Sequence, residues 1–565
     1  MFKKDRTNII GLSGYADYLT LVKRVPYKLK FQFPSFPKLT KSKPSLIPDV
    51  LDEIFRHLSD DRTTLLSCIL VCRLWCRLVM PILWSDPFLK RNEYGYFAIR
   101  TYITCLDEHE KALLVQQNIR IPQLPRPLFN YPSFLLTFNY NNLAVAVEDF
   151  TTGNEVDFLC MHEKRVIISN VIINMIFTRS RGIRKFDYYR SHLSSQIILT
   201  LDHSLSLFGR NKDNEDYNAL NKINSFKFNG FCIKDEIYKV TWPNLFLSIS
   251  KSATNIRHLS FHIKRKDFNI QAIYHSIANL IKSQKILASF EINDIWLRQS
   301  DKIIFNALAT QAHTLNHLKL DGKFRLSTLI ELLSVCYNLN TLEVKEFHKN
   351  DFIPLLKYDG VNFSIKNLNY LQNQTNYSEH DEYEICLLLQ LISTNLEMFS
   401  CKYFCPEIFV NLKKYSGNLT HLRIIIKSQT IVRFSKVMSV MSNLKYLYIE
   451  SPREEYTLFT EQMIDQLAHS LPFSLITLSC NLSITQELLK VFLSGCFVHL
   501  NTLELFNVQG TDKKISLLIS DYCNKMSSLK TLKLSRSLLE KFTNIKKKGP
   551  YRIIGSTPDW FQEPI

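Results

Sequence analysis

Apolar side chains recur at helical spacing in two adjacent segments between residues 45 and 84. The first segment contains Val50, Leu51, Ile54, Phe55 and Leu58, which fall on one face of a helix. Pro48 suits the first turn of this helix, where no amide hydrogen is required. Asp60 and Asp61 interrupt the pattern, and a second helix is predicted roughly from Thr64 to Leu78, so that the segment contains two or three short amphipathic helices.

These 40 residues carry more large apolar side chains than such a short segment can bury on its own. A partner protein, or the rest of the chain, must therefore cover one face of the helices. Helices that bind in a groove need only a few apolar anchors at i, i+3 or i+4, and i+7. The segment is typical of a docking module, and an ordinary helical hairpin packed on the following domain is the alternative.

The order of residues in this segment resembles an F-box. The resemblance is carried by Ile47-Pro48, Glu53-Ile54-Phe55, Leu58, Val71-Cys72-Arg73, Trp75 and Leu83-Trp84. Ile47 stands where the family usually has Leu, and Val50 where it often has Glu. The resemblance implies docking on a Skp-family adaptor through Ile47, Pro48, Leu51, Ile54, Phe55, Leu58, Leu65, Val71, Cys72, Trp75 and Trp84.

Composition argues against several other classes of protein. No run of 18 apolar residues is present, and the N-terminus lacks the apolar core of a signal peptide. Glycine is scarce at 14 of 565 residues, and no phosphate-binding, nucleophile-elbow or zinc-protease motif occurs. The 13 cysteines have no zinc-finger spacing and are interpreted as small buried hydrophobes with free thiols. We therefore expect no metal, no cofactor and no membrane-spanning segment.

The net charge of +18 is unevenly distributed along the chain. Residues 1–44 alone carry a net charge of +8 and four prolines, which predicts a flexible basic leader. The remaining 521 residues carry +10, which is modest for their number. Because no aromatic-interleaved basic motif or Cys/His finger is present, nucleic-acid binding is not expected.

A second pattern, L-x-x-L-x-L with apolar substitutes, recurs through the C-terminal half of the chain. Its units are predicted to start at residues 256, 287, 315, 339, 368, 396, 419, 444, 475, 500 and 529, with Ile183 and Ile223 beginning two earlier units. The average step of about 27 residues is typical of leucine-rich repeats. In such a repeat the last two apolar residues alternate on a strand, and the strands pair in a parallel sheet.

The segments between these strands have helical periodicity, as in residues 382–393, 457–471 and 485–496. The predicted fold is therefore α/β: all-α F-box helices followed by an irregular leucine-rich-repeat solenoid, with helices on its convex side. The ninth position of a repeat is often Asn or Cys. Five of these units instead have Lys323, Phe347, Ser483, Val508 and Ser537 there, so the usual polar ladder is largely missing.

Five regions follow from these patterns. They are a basic leader (1–44), the F-box (45–88), a helical and proline-rich connector (89–180), the solenoid (181–540) and a C-terminal tail (541–565). Between the core positions of the strands lie residues that would face outwards on the concave side. The residues predicted to bind a target there are His317, Lys319, Glu343, His421, Arg423, Tyr446, Tyr448, Glu504 and Lys533.

By this resemblance the chain would be a non-catalytic, substrate-recognition subunit of a Skp–cullin–F-box ubiquitin ligase in the cytoplasm or nucleus. Its partners would be a Skp-family adaptor, through it a cullin–RING ligase, and an unknown target protein. The alternative is a repeat scaffold whose F-box-like hairpin is only an N-terminal cap. A cap would bury Ile54, Val71 and Trp75, whereas a docking module would leave an apolar patch in solvent.

Overall fold

A computed structural model gives the architecture of the chain. It describes residues 48–88, 94–121, 125–152, 161–189, 220–230, 238–263, 271–294, 301–347, 361, 363–371, 381–402, 404–415, 417–452, 459–510, 512–526, 528–535, 538–539 and 552–556. The predicted leader 1–44 and most of the predicted tail lie outside these ranges. The described residues form two compact units, one up to Phe186 together with Leu220, the other of Asp187–Tyr189 and the residues from Asn221 onward.

The first unit is mainly helical. Its helices are α1 (Pro48–His57), α2 (Arg62–Cys68), α3 (Arg73–Leu83), α4 (Tyr94–Cys105), α5 (Glu108–Gln116), α6 (Tyr140–Thr152) and α7 (Met161–Arg179). A 3-10 turn (Tyr131–Phe134) and strand β1 (Thr137–Asn139) lie between α5 and α6, and strand β2 (Lys185–Tyr189) follows α7. The connector expected from residue 89 is thus built largely of helices.

The segment contains three short helices, within the predicted two or three, but the bounds predicted for the second are wrong because the structure divides residues 64–78 between α2 and α3. Helix α2 ends at Cys68, and Cys72 is extended at φ −164° and ψ 170° before α3 begins. Two β-branched residues, Ile69 and Val71, lie in the break, where their restricted χ1 rotamers disfavour a continuous helix. The break carries the side chains of Leu70 and Val71 into solvent.

The first unit is held together by aromatic packing and by polar contacts at helix ends. Trp84 packs against Tyr102 and Tyr131, with ring centroids 5.4 and 4.3 Å apart. The Arg62 guanidinium donates to the backbone carbonyls of Leu83 and Asp86 at 2.8 and 2.9 Å. Carbonyls at the end of a helix have no intrahelical partner, so Arg62 stabilises the end of α3.

The second unit alternates strands and helices. From Ser225 onward its principal strands are β3 (Ser225–Asn229), β4 (His258–Ile263), β5 (Ser289–Asp294), β6 (His317–Phe324), β7 (Thr341–Phe347), β8 (Asn367–Tyr370), β9 (Met398–Cys401), β10 (His421–Ile425), β11 (Tyr446–Glu450), β12 (Thr477–Asn481), β14 (Thr502–Leu505), β16 (Thr531–Ser535) and β17 (Arg552–Ser556). Short strands β13 (Ile484–Thr485) and β15 (Val508–Gln509) pair separately. The helices are α8 (Tyr238–Ser252), α9 (Gln271–Lys282), α10 (Asp301–Ala309), α11 (Leu326–Leu333), α12 (Asp381–Ile392), α13 (Pro406–Tyr415), α14 (Ser428–Met438), α15 (Glu461–His469), α16 (Gln486–Gly495) and α17 (Asp512–Lys525).

The principal strands pair in parallel and in chain order from β3 to β17. The second leucine of each repeat is in register with the second leucine of the next, as for Leu422, Leu447 and Leu478. The predicted leucine-rich-repeat fold is confirmed. One unit starts three residues earlier than predicted, because Leu368 is in register with Leu342 and Phe399 and the unit therefore begins at Ile365.

Side chains directly before the first leucine of a repeat connect neighbouring repeats. Asn338, Asn395, Asn418 and Asn443 each donate a hydrogen bond of 2.6–2.8 Å to a backbone carbonyl of the preceding repeat. Ser474 makes the same kind of bond to Leu444 at 2.7 Å. These side chains satisfy backbone carbonyls of the neighbouring repeat. The repeats are thus connected by polar contacts, although the usual polar residue at the ninth position is largely missing.

The sheet also extends past the predicted boundary at residue 540. Strand β17 lies within the predicted tail and pairs in parallel with β16 over five residues. It has no L-x-x-L-x-L pattern, and only its pairing with β16 reveals it.

Candidate functional site

The residues predicted to contact an adaptor separate into buried and exposed groups. Leu51, Phe55, Leu65 and Trp84 are buried, Leu58 and Trp75 are half-buried, and Pro48, Ile54, Val71 and Cys72 are exposed, while Ile47 lies outside the described residues. The buried group forms the core of the helices. The exposed group is the one whose side chains a partner can reach directly.

Five large apolar side chains of these helices are exposed, and together we call them the exposed apolar set: Val50, Ile54, Leu70, Val71 and Leu74. Val50 and Ile54 lie one turn apart on α1, Leu70 and Val71 lie in the break before α3, and Leu74 lies in the first turn of α3. Ile54 is 43% exposed and Val71 is 60% exposed. Leu70 and Leu74 were not predicted as contact residues. The apolar pattern of a helix that begins at Thr64 does not distinguish them from residues that are buried.

Buried neighbours fix the position of this set. Phe55 is almost fully buried and packs edge-on against Trp75, with ring centroids 5.0 Å apart. This contact joins α1 to α3. Asp61 caps α2 by accepting from the Thr64 amide at 3.0 Å, and the hydrogen bonds from Thr64 lower the pKa of this carboxyl. The helices are therefore internally supported, although their apolar residues are partly in solvent.

The nine predicted target-binding residues share one face of the second unit's sheet. They occupy two rows of aligned strand positions, with His317, His421 and Tyr446 in the first row and Lys319, Glu343, Arg423, Tyr448, Glu504 and Lys533 in the second. We call this the open sheet face. Its members fall into three clusters that the structure brings together.

The first cluster lies on β5, β6 and β7 and is an ion-pair network. The Lys319 Nζ lies 3.3 Å from Glu291 and 3.6 Å from Glu343, and the His317 Nε2 lies 3.7 Å from Glu343. Burial lowers the pKa of Lys319, but the two carboxylates outweigh burial and raise the pKa overall. Burial also lowers the pKa of His317, against the opposing effect of Glu343. Glu291 was not predicted.

The second cluster lies on β10 and β11 and combines aromatic rings with a guanidinium. The rings of His421 and Tyr446 are stacked, with centroids 4.1 Å apart and planes 9° apart. Arg423 and Tyr448 follow in the next aligned row, and Arg423 is only 7% exposed. Burial is the main cause that raises the pKa of Tyr448.

The third cluster lies on β12, β14 and β16. Glu504 accepts a hydrogen bond from the Ser479 hydroxyl at 2.5 Å and pairs with the Lys533 Nζ at 2.7 Å. Glu504 is buried, so the paired lysine and the hydroxyl compensate its charge. The open sheet face therefore carries charges that are mostly satisfied within the face itself.

Within the described ranges, no group of three or more His, Cys, Asp or Glu side chains is arranged to hold a metal ion. Of the 11 free cysteines there, eight are buried, including Cys68, Cys401 and Cys405. Cys72 is exposed, and its expected packing in a core is wrong, since the break before α3 turns it outwards. No helix among the described residues is long and apolar enough to span a lipid bilayer.

Residues 48–90 match the family model described as F-box-like. The match begins at the first residue of α1 and contains α1, α2 and α3. No curated protein matches the chain.

Three solved structures show limited similarity to the chain. The complex of Rad7 and Elc1 from yeast has 14% sequence identity and a TM-score of 0.33, covering 64% of this chain and 88% of that chain. A TLR13–ssRNA13 complex has 13% identity and a TM-score of 0.30, covering 65% and 57%. A leucine-rich-repeat protein of Leptospira interrogans has 14% identity and a TM-score of 0.24, covering 74% and 99%. These scores are low, and the fold follows from the strand register given above.

Proposed function

We propose that this chain, which combines an F-box-like segment with a leucine-rich-repeat fold, is the substrate-recognition subunit of a Skp–cullin–F-box ubiquitin ligase. Helices α1–α3 dock on a Skp-family adaptor, and the repeats bind a target protein. The chain supplies no catalytic group. It holds the target near a ubiquitin-charged enzyme and so raises the effective concentration of the target.

The observation that carries this proposal is the exposed apolar set on the F-box-like helices. Five large apolar side chains in 25 consecutive residues are exposed, although the helices already have a core of their own. Fully burying one such side chain contributes about 1.5–3 kcal/mol. A partner that covers several of them gains enough free energy to offset the cost of association.

Ile54 and Val71 are both exposed, which supports a role as docking residues. Trp75 is half-buried, but its ring is occupied by Phe55 of the same segment.

The open sheet face supports the second half of the proposal. It offers the rings of His421, Tyr446 and Tyr448, and aromatic residues are common anchors of protein interfaces. Charges paired across neighbouring strands can be exchanged for pairs with a target, so complementarity of charge would select the target.

Co-purification tests the adaptor contact. The full chain is co-expressed with a Skp-family adaptor as the wild type, as the double variant Ile54→Asp/Val71→Asp, and as the control Val410→Asp. Val410 is 62% exposed on α13 and lies in the other unit. We expect the wild type and the control to retain the adaptor and the double variant to lose at least about 30-fold in affinity, as for a central interface residue.

Circular dichroism of all three proteins shows whether the substitutions disturb folding. A wild-type chain that does not bind the adaptor contradicts the proposal. Equal loss in the control also contradicts it, because a general effect of a new surface charge would then explain the result.

A further inference from the structure

One edge of the repeat unit carries a strong excess of positive charge. This edge, which we call the strand-entry rim, consists of the last turn of each helix from α8 onward and the residues leading to the next strand. Its described lysine and arginine residues are Lys251, Arg257, Lys282, Lys285, Lys366, Lys413, Lys414, Lys436, Lys445, Lys525 and Lys530, and all are exposed. Its described carboxylates are Glu331 and Glu397, and Glu397 pairs with Lys366 at 2.8 Å.

The helix dipole explains only part of this excess. Lysines in the last turn of a helix are stabilised by the partial negative charge there, and six of the eleven have that position. The other five lie after the helices. Lys445 and Lys530, for example, directly precede β11 and β16. Their charge gains little from a helix end, so the excess requires a further reason.

The rim also exposes aromatic side chains in two adjacent repeats. Phe473 precedes β12 and is 87% exposed, and Phe497 precedes β14 and is 60% exposed. The ring of Phe497 rests edge-on against His469, with centroids 5.5 Å apart. Because β12 and β14 are paired, the two phenylalanines belong to neighbouring segments of the rim. Val440, in the segment before β11, is also exposed, and β11 pairs with β12.

Lysines flank these aromatic residues on both sides. The strand order β11, β12, β14, β16 places Lys436 and Lys445 in the first segment, the two phenylalanines in the middle segments, and Lys525 and Lys530 in the last. Backbone hydrogen bonds run along this edge from Lys445 through Ile476 and Asn501 to Lys530. Three strand spacings amount to about 14 Å, which an extended peptide covers in about four residues.

We propose that this part of the rim binds an extended acidic polypeptide segment with apolar side chains at its centre. The carboxylates of the segment meet the lysine pairs, and its apolar residues cover Phe473, Phe497 and Val440. A polypeptide fits better than a nucleic acid, because Val440 offers no surface for base stacking and the aromatic residues lie between the lysines. The inference rests on the proposed function in one respect, since it gives the target protein a second contact.

The test measures binding of the full chain to three probes: a random Glu–Tyr copolymer, poly-Glu of the same charge, and an oligo-dT of the same charge. The rim variant is Lys436→Glu/Lys445→Glu/Lys530→Glu, and the matched control is Lys302→Glu/Lys490→Glu/Lys514→Glu. All six lysines are exposed, and the control residues lie outside the rim. At low salt we expect the rim variant to bind the copolymer about tenfold more weakly and the control less than twofold, since charge pairs steer association.

The aromatic part is tested with Phe473→Ala/Phe497→Ala. This variant should lose the preference for the copolymer over poly-Glu while still binding poly-Glu. Equal losses in the rim and control variants would overturn the proposal, as would tighter binding of oligo-dT or no preference for the copolymer. Adaptor co-purification is a separate measurement, so failure of the rim leaves the adaptor contact intact and failure of the adaptor contact leaves the rim intact.

Discussion

The F-box-like helices and the open sheet face present opposite kinds of surface. The helices expose apolar side chains such as Ile54 and Val71, whereas the sheet face pairs its charges, as in Lys319 with Glu291 and Glu343. An apolar contact needs no matched partner group for each side chain and depends mainly on buried area. A charged contact depends on the arrangement of the partner, so it gives specificity more than affinity. The contrast suits a constant adaptor on one surface and a selected target on the other.

The two regions also differ in how they are stabilised. The short helices depend on a few large buried side chains, such as Phe55, which packs against Trp75 and so joins α1 to α3. The repeats add polar bonds between neighbours, such as those of Asn443 and Gln284. Loss of one residue should therefore affect the helices as a whole but the repeats only locally.

Phe55→Ala should have the largest effect on stability. Phe55 is 2% exposed, so its truncation leaves a cavity and costs about 3–5 kcal/mol, most of what a small unit has. Hydrogen exchange of peptides from residues 48–88 should accelerate by about a hundredfold or more. Val71→Ala is the control, because its side chain is exposed and its removal should change stability by about 0.5 kcal/mol or less. Similar rates of hydrogen exchange in Phe55→Ala and Val71→Ala would contradict the assignment of Phe55 to the core and of Val71 to the exposed apolar set.

Gln284→Ala should affect a smaller part of the chain. The Gln284 side chain accepts from the Ile256 amide at 2.9 Å and donates to the Ala253 carbonyl at 3.0 Å, and all of these groups are buried. Leaving them unsatisfied costs about 1–3 kcal/mol each. Exchange should accelerate around residues 253–258 and remain unchanged in distant repeats. Gln390→Ala, at an exposed position on α12, should leave exchange unchanged, and a uniform loss in all repeats would contradict the local description.

The repeats could be predicted from the sequence because their leucine pattern recurs many times. The register at Leu368 and the presence of β17 could not, because pairing with neighbouring strands determines both. Leu368 has apolar residues at the same spacing on both sides, Ile365 and Leu371, so the local pattern fits two registers. Pairing with β7 and β9 decides between them. Strand β17 has no leucine pattern, and pairing with β16 defines it.

The F-box-like segment was located from its residues, but which of them face solvent could not be derived from periodicity. Ile54 and Phe55 are adjacent and both apolar, yet one is exposed and the other buried. The difference comes from Trp75, which covers Phe55 from another helix. The position of the break between α2 and α3 was also not predicted, since apolar spacing continues through it and only weak local preferences oppose a helix.

The pH dependence of the repeat unit should be the smallest effect, and it tests whether burial of His317 on the sheet face makes stability depend on pH. Burial lowers the pKa of His317 below its usual value, so the folded chain binds this proton less readily than the unfolded chain. Stability is therefore full above the unfolded pKa of about 6.5 and falls as the pH decreases from there towards the lower folded pKa. The urea midpoint should decrease less between pH 7.5 and 5.5 in His317→Gln than in the wild type. His313→Gln, at an exposed position, should behave as the wild type. Identical pH dependence in His317→Gln and the wild type would contradict the prediction, because burial of His317 would then not lower its pKa on folding.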